Sequence, residues 1–127
     1  MEMKKYENFC LSLPNSELTY PFDEKTKVMK VANKMFAIIA NEFEISLKCE
    51  PNRALEQRMI YEAVRPGYHL NKTHWNTVTI SGDVHETDLT LMILHSYECV
   101  IATFSKKQRE QLEYQLQIWQ LAQEEKR

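Results

Sequence analysis

Apolar residues fall on two periods along this chain, and the switches between them predict its elements. Met3, Tyr6, Cys10 and Leu13 recur every three to four residues, with Phe9 beside them, so residues 3–13 read as an amphipathic helix. Pro14 and Asn15 end it. Val28 to Ala32 and Met35 to Ala40 are rich in β-branched and other apolar side chains. Between them Asn33, next to Lys34, supplies a turn residue that tolerates left-handed backbone. The second run is apolar at both parities, which predicts a strand covered on both faces. Beyond "NEFE", Ile45, Leu47 and Cys49 alternate with Ser46 and Lys48, the pattern of a half-buried strand. The three strands read as an antiparallel meander.

Pro51 suits the first position of a short second helix, Asn52 to Glu62. Leu55 and Met59 lie one turn apart on it, with Glu56, Arg58 and Glu62 directed to solvent. "VRPG" then breaks the helix. From Trp75 the chain alternates again: Trp75, Thr77 and Thr79 share one face of a strand, and Asn76, Val78 and Ile80 the other. The threonine face is the more polar. Trp75 therefore reads either as a semi-exposed aromatic or as a cap on the edge of the core, covered by the loop before it. A long helix follows from about Thr87 to Thr103, its stripe marked by Leu89, Ile93, Tyr97, Val100 and Phe104, with Leu91, Met92 and Leu94 widening it into a deeply packed element. The tail beyond Lys106 is rich in helix formers, with a stripe of Leu112, Leu116 and Trp119 and with Ile118 and Leu121 near it.

The order α-β-β-β-α-β-α-α lacks regular βαβ units. It predicts an α+β two-layer sandwich, an antiparallel sheet with helices on one side, plus a C-terminal helix. Residues 1–106 read as the domain and 107–127 as a helical extension of it.

Composition narrows the function classes. The 127 residues are 43% hydrophobic, enough for one domain with a core and unlike a disordered chain. No apolar run is long enough to cross a membrane, and the N-terminal "MEMKKYENFCLSL" has neither the apolar block nor the cleavage site of a signal peptide, so a cytoplasmic protein is expected. Cys10, Cys49 and Cys99 are widely spaced with no C-x-x-C pair; they read as small hydrophobes. The net charge of −2 denies any nucleic-acid contact a global basic excess, so such contact has to rest on local charge.

The rarer side chains gather in "RPGYHLNKTHWNTVTI", residues 65–80. His69 and His74 are five apart, which places them on opposite faces of a strand or well apart on a helix, so they do not chelate from a regular element. Ser96 lacks a nucleophile elbow, and Gly67 and Gly82 stand alone without a phosphate-cradling loop. No metal, no cofactor and no catalytic residue is expected.

Five segments carry a family resemblance: "PF" at 21–22, "KVANKMFAIIA" at 30–40, "LKCEP" at 47–51, "RPGYHLNKTHWNTV" at 65–78 and "SYECV" at 96–100. Together they resemble the MmcQ/YjbR family of small bacterial proteins over about residues 1–106. One departure is Ala32–Asn33, where that family commonly carries a glycine pair; the other is the longer tail. The resemblance implies a CyaY-like (frataxin-like) fold and DNA binding through a double-wing arrangement. It implies no iron role, because the first helix mixes Lys4 and Lys5 with Glu2 and Glu7 instead of forming an acidic ridge.

The leading expectation is thus a non-enzymatic DNA-binding or regulatory protein with duplex DNA as partner. Lys25, Lys27, Lys30 and Lys34 fall within ten residues free of acids, and Lys48, Arg65 and Lys72 are candidates to join them. The expected DNA- or partner-binding set is Lys30, Lys34, Lys48, Tyr68, Asn71, Lys72, His74, Trp75 and Asn76. The alternatives are a protein-interaction module or small homodimer using Trp75, Tyr68 or the tail stripe, and an enzyme using the His69–His74 loop.

Overall fold

The structure, a computed structural model, describes residues 2–126. Its elements are α1 (Glu2–Ser12), β1 (Ser16–Thr19), β2 (Lys27–Val31), β3 (Lys34–Ile39), β4 (Glu44–Lys48), α2 (Pro51–Ile60), β5 (Val64–Pro66), β6 (Trp75–Thr79), α3 (Glu86–Ile101) and α4 (Lys106–Glu125). The six strands form one antiparallel sheet in the order β1-β2-β3-β4-β6-β5. The fold is the α+β layer expected, with two edge strands that the sequence pattern did not reveal. Both are short. Residues 64–66, read as a simple break, pair with β6, and Ser16–Thr19 pairs with β2. Three or four residues hold too few alternations to show a period.

Main-core side chains come from α1, α3 and α4 and from the inward parity of the strands: Met3, Tyr6 and Cys10 of α1, Leu89, Ile93 and Tyr97 of α3, Leu112 and Leu116 of α4, and Met29, Phe36, Ile45 and Val78 of the sheet. Phe36 and Tyr97 meet edge to face at 5.4 Å, and the Tyr97 hydroxyl donates to the Pro14 carbonyl at 2.7 Å, tying α3 to the end of α1. The tail packs back on the domain: Trp119 stands edge-on to Phe9 at 5.7 Å, and Asn15 bonds Gln115. Ile118 and Leu121 of the same helix are exposed.

A bulge between Met29 and Lys30 lets both Phe36 and Ala37 join the main core while Ile38 turns to the other face. There Ile38, Val28 and Trp75 form a second, smaller cluster, with Met35 and Leu70 packed on it. The β3 strand is covered on both faces, as its unbroken apolar run predicted.

Two expectations need correction. Arg58 turns inward from α2 and bonds β6, whereas Leu55 and Met59 are exposed, Met59 at 86%; Ala54 is the buried residue of this helix. Leu91 of α3 is also exposed. Of the two readings of Trp75 the covered one holds: it is 8% exposed, because the loop before it folds over the sheet, so its ring is not open to a partner.

Candidate binding face

All four helices lie on the inward side of the sheet, so the outward parity is left to loops and solvent. One row of register partners crosses the whole outward face: Thr19, Val28, Ile38, Ser46, Thr77 and Arg65. It is apolar over β2 and β3 and polar over β4, β6 and β5. A flanking row pairs Glu17 with Lys30 and Lys30 with Met35, and Lys48 with Trp75. On the other flank Glu44 pairs with Thr79, and Arg65 reaches across to both, donating to Thr79 Oγ1 at 3.0 Å and pairing with the Glu44 carboxylate.

The segment 67–74 borders this face, and its own polar groups hold it there. Gly67 N–H donates to the Trp75 carbonyl at 2.8 Å. A Cβ on Gly67 would stand 2.7 Å from that of Trp75, so only glycine permits this approach. Asn71 accepts from Thr73 N–H at its side chain (2.9 Å) and from His74 and Trp75 N–H at its carbonyl (3.2 and 2.9 Å). Lys72 Nζ donates to the Gly67 carbonyl at 3.3 Å, and Arg58 donates to the Lys72 carbonyl. The His74 carbonyl accepts from Cys49 N–H at 2.8 Å. His69 is held in left-handed backbone at φ 59°, its ring 3.9 Å from that of Tyr68.

The nine residues expected to meet a partner therefore separate. Lys30 and Lys48 share the outward face. Tyr68, 68% exposed, and the exposed His74 stand at its border. Lys34 is held on the helix side of the hairpin, donating to Thr103 Oγ1 at 2.8 Å and lying 4.5 Å above the Phe104 ring. Asn71 and Lys72 fasten the loop. Trp75 anchors the outer cluster. Asn76 has inward parity and is 1% exposed; it receives Arg58 Nε at 2.7 Å and donates to the Ala54 carbonyl and Gln57 Oε1, both at 3.2 Å. It joins β6 to α2 and does not reach the surface.

Beside the loop, a groove of about 410 Å³ opens on the outward face between the segment before β2 and the segment before β6. Phe22 and Tyr68 stand on its rim, and Ser46 and Thr77 lie in its lining. Their hydroxyls are 2.7 Å apart, and Thr77 Oγ1 also accepts the Tyr68 N–H at 3.0 Å. Sequence parity shows both residues facing outward, but nothing local shows that β4 neighbours β6 across an intervening helix.

Elsewhere, His95 Nε2 accepts from Glu50 N–H at 3.2 Å and lies 3.3 Å from Cys99 Sγ. Burial pushes the Cys49 thiol up to about 11 and that of Cys10 up to about 12, so both stay protonated at neutral pH. Among the described residues no three His, Cys, Asp or Glu side chains are grouped to hold a metal ion. Nor is any described helix long and apolar enough to cross a membrane.

Comparison with known proteins places this architecture. The chain is 31% identical over 110 residues to the uncharacterised protein YbdF of Escherichia coli O157:H7, covering 84% of this chain and 89% of that protein. It is 29% identical over 115 residues to the uncharacterised protein YjbR of Escherichia coli K12, covering 88% and 98%. The crystal structure of Deinococcus radiodurans protein DR2400, described with a DUF419 domain, superposes with a TM-score of 0.80 at 37% identity over 87% of both chains. A Pseudomonas syringae protein shares the fold at a TM-score of 0.65 and 20% identity, over 76% of this chain and 96% of that one. The YjbR family model matches residues 11–99, which span the sheet, the loop over Trp75 and most of α3; the chain belongs to the YjbR family.

Proposed function

We propose that this is a non-enzymatic DNA-binding or regulatory protein of the cytoplasm that presents its helix-free sheet face to duplex DNA. The observation that carries the reading is a difference between cations. Lys27 is paired with Glu7 at 2.7 Å and Arg65 with Glu44, whereas Lys30 and Lys48 form no ion pair among the described residues and both project from the outward face. Unpaired ammonium groups are free to exchange condensed counterions for phosphates. The exposed His74 at the border adds a donor to sugar or phosphate oxygens. A net charge of −2 supplies no long-range attraction, so the contact is local and few-charged. Titrating binding to a short duplex against salt tests it: two phosphate contacts give a log–log slope of about −2. No retardation at micromolar protein in low salt would overturn it.

Self-association is the second reading, carried by Tyr114, Ile118 and Leu121. These are exposed at spacings of four and three on α4, opposite the buried Leu112 and Leu116. Mass in solution, for the full chain and for Ile118→Lys, decides it. A monomer at high concentration for the full chain ends this reading.

A further inference from the structure

The groove on the outward face has a proton to spare. Ser46 Oγ and Thr77 Oγ1 share one hydrogen bond, and Thr77 Oγ1 already accepts the Tyr68 N–H. Two hydroxyls carry two protons. Whichever one donates to the other, the second O–H has no acceptor among the described residues. A hydroxyl in that position is a donor waiting for an oxygen. Apolar side chains stand among its neighbours: Ile38 lies beside it in register, Leu70 packs from the loop, and Phe22 and Tyr68 stand exposed at the rim, at 60% and 68%, with Asp23, Thr26, Glu44 and His69 completing the lining. Large aromatics that solvent still reaches, at the mouth of a concavity of about 410 Å³ with a converging polar group, are what small-molecule sites are made of.

Charge selects among ligands. Asp23 and Glu44 are both in the lining, which disfavours an anion. Both carboxylates are already engaged by neighbouring groups. Asp23 accepts from Lys25 N–H (2.8 Å), Thr26 N–H (2.6 Å) and Thr26 Oγ1 (2.9 Å), and Glu44 accepts from Asn41 and pairs with Arg65. At the rim, His69 takes left-handed backbone at φ 59° and its ring lies 3.9 Å from that of Tyr68.

We propose that the groove between Phe22 and Tyr68 binds a neutral, ring-bearing small molecule whose carbonyl oxygen accepts the unused proton of the Ser46–Thr77 pair. The groove shares the outward face with the duplex-binding reading but rests on Ser46 and Thr77 where that reading rests on Lys30 and Lys48, so either can fail alone.

The test uses the full chain, isotope-labelled for amide NMR, titrated with acetophenone and with toluene as its carbonyl-free counterpart. Acetophenone is expected to shift the amides of Ser46, Thr77, Tyr68, His69 and Leu70 saturably at millimolar concentration. It should bind about tenfold more tightly than toluene, the worth of one hydrogen bond. Ala40→Phe, a change at an exposed position in the lining, should abolish both titrations while leaving the rest of the spectrum in place. Ser46→Ala alone should keep much of the preference, because Thr77 then has the spare proton; Ser46→Ala with Thr77→Val should remove it. Should the double variant not fold, the Ala40→Phe and wild-type titrations still decide the matter. Perturbed amides lying elsewhere, no saturation in the wild type, or equal affinity for the two probes would each overturn the proposal.

Discussion

Arg58 Nε and Asn76 Oδ1 are 2.7 Å apart, and this bond joins α2 to the inward face of β6. Its two residues were expected at the surface, Arg58 in solvent and Asn76 against a partner. Asn76 also donates to the Ala54 carbonyl and to Gln57, so three groups of α2 depend on one buried amide. Asn76→Ala removes the partner of the Arg58 Nε and of the Gln57 side chain at a half-buried junction, and takes from the Ala54 carbonyl the bond it makes beyond the helix. It should cost about 2–3 kcal/mol, read as a lower urea midpoint at unchanged slope. A loss below about 1 kcal/mol would mean that the amide is not what holds the helix to the sheet.

The β2–β3 hairpin turns through Ala32 at φ 47° and Asn33 at φ 71°. Asn accepts this conformation; the Cβ of Ala32 does not, and is strained by about 1–2 kcal/mol. Ala32 is exposed, so no packing offsets the strain. Ala32→Gly should therefore stabilise the protein by about 0.5–1 kcal/mol after the greater entropy of glycine in the unfolded chain is subtracted. Thermal unfolding measures it, and an unchanged or lower midpoint would contradict the turn geometry. The same geometry explains why a glycine pair suits this turn.

Burial, then the nearby Arg53, holds His95 below its ordinary 6.5, with Glu50 opposing. The unfolded chain takes up a proton near 6.5, and the folded chain only at lower pH. Stability from this group is thus complete above about pH 6.5 and declines as pH falls through the lower folded value. Protonation also removes the acceptor for Glu50 N–H. Between pH 7.5 and 5 the urea midpoint should fall for the wild-type chain and fall less for His95→Gln. Equal slopes for the two would show that other groups set the acid sensitivity.

If duplex DNA meets the outward face, Lys30→Gln and Lys48→Gln should each reduce the magnitude of the salt slope by about 0.9. Lys34→Gln should leave it unchanged, because Lys34 is held by Thr103 and Phe104 on the helix side. A larger effect at Lys34 than at Lys30 would place the contact at the hairpin tip and not on the sheet.

Much of the fold was legible in the chain, because long elements repeat their period enough times to be read. The stripes of α1 and α3 bury the residues their spacing picks out, Met3, Tyr6 and Cys10 on one and Leu89, Ile93 and Tyr97 on the other. Parity likewise sorted Val78 and Ile80 from Thr77 and Thr79. The sequence by itself therefore determined the layer architecture, the family and the faces taken by the residues of β4 and β6. It did not determine what covers a face. Trp75 is buried because Gly67 and Leu70 lie against it, and Ser46 meets Thr77 because β4 pairs with β6 across an intervening helix. Lys30 is separated from Lys34, four residues on, by a strand alternation and a tight turn that send one to each side of the sheet. Such relationships join residues distant in the chain, and no local period encodes them. Tertiary structure alone brought the histidine loop against the sheet, where Tyr68, His69 and Leu70 wall the groove proposed as a site.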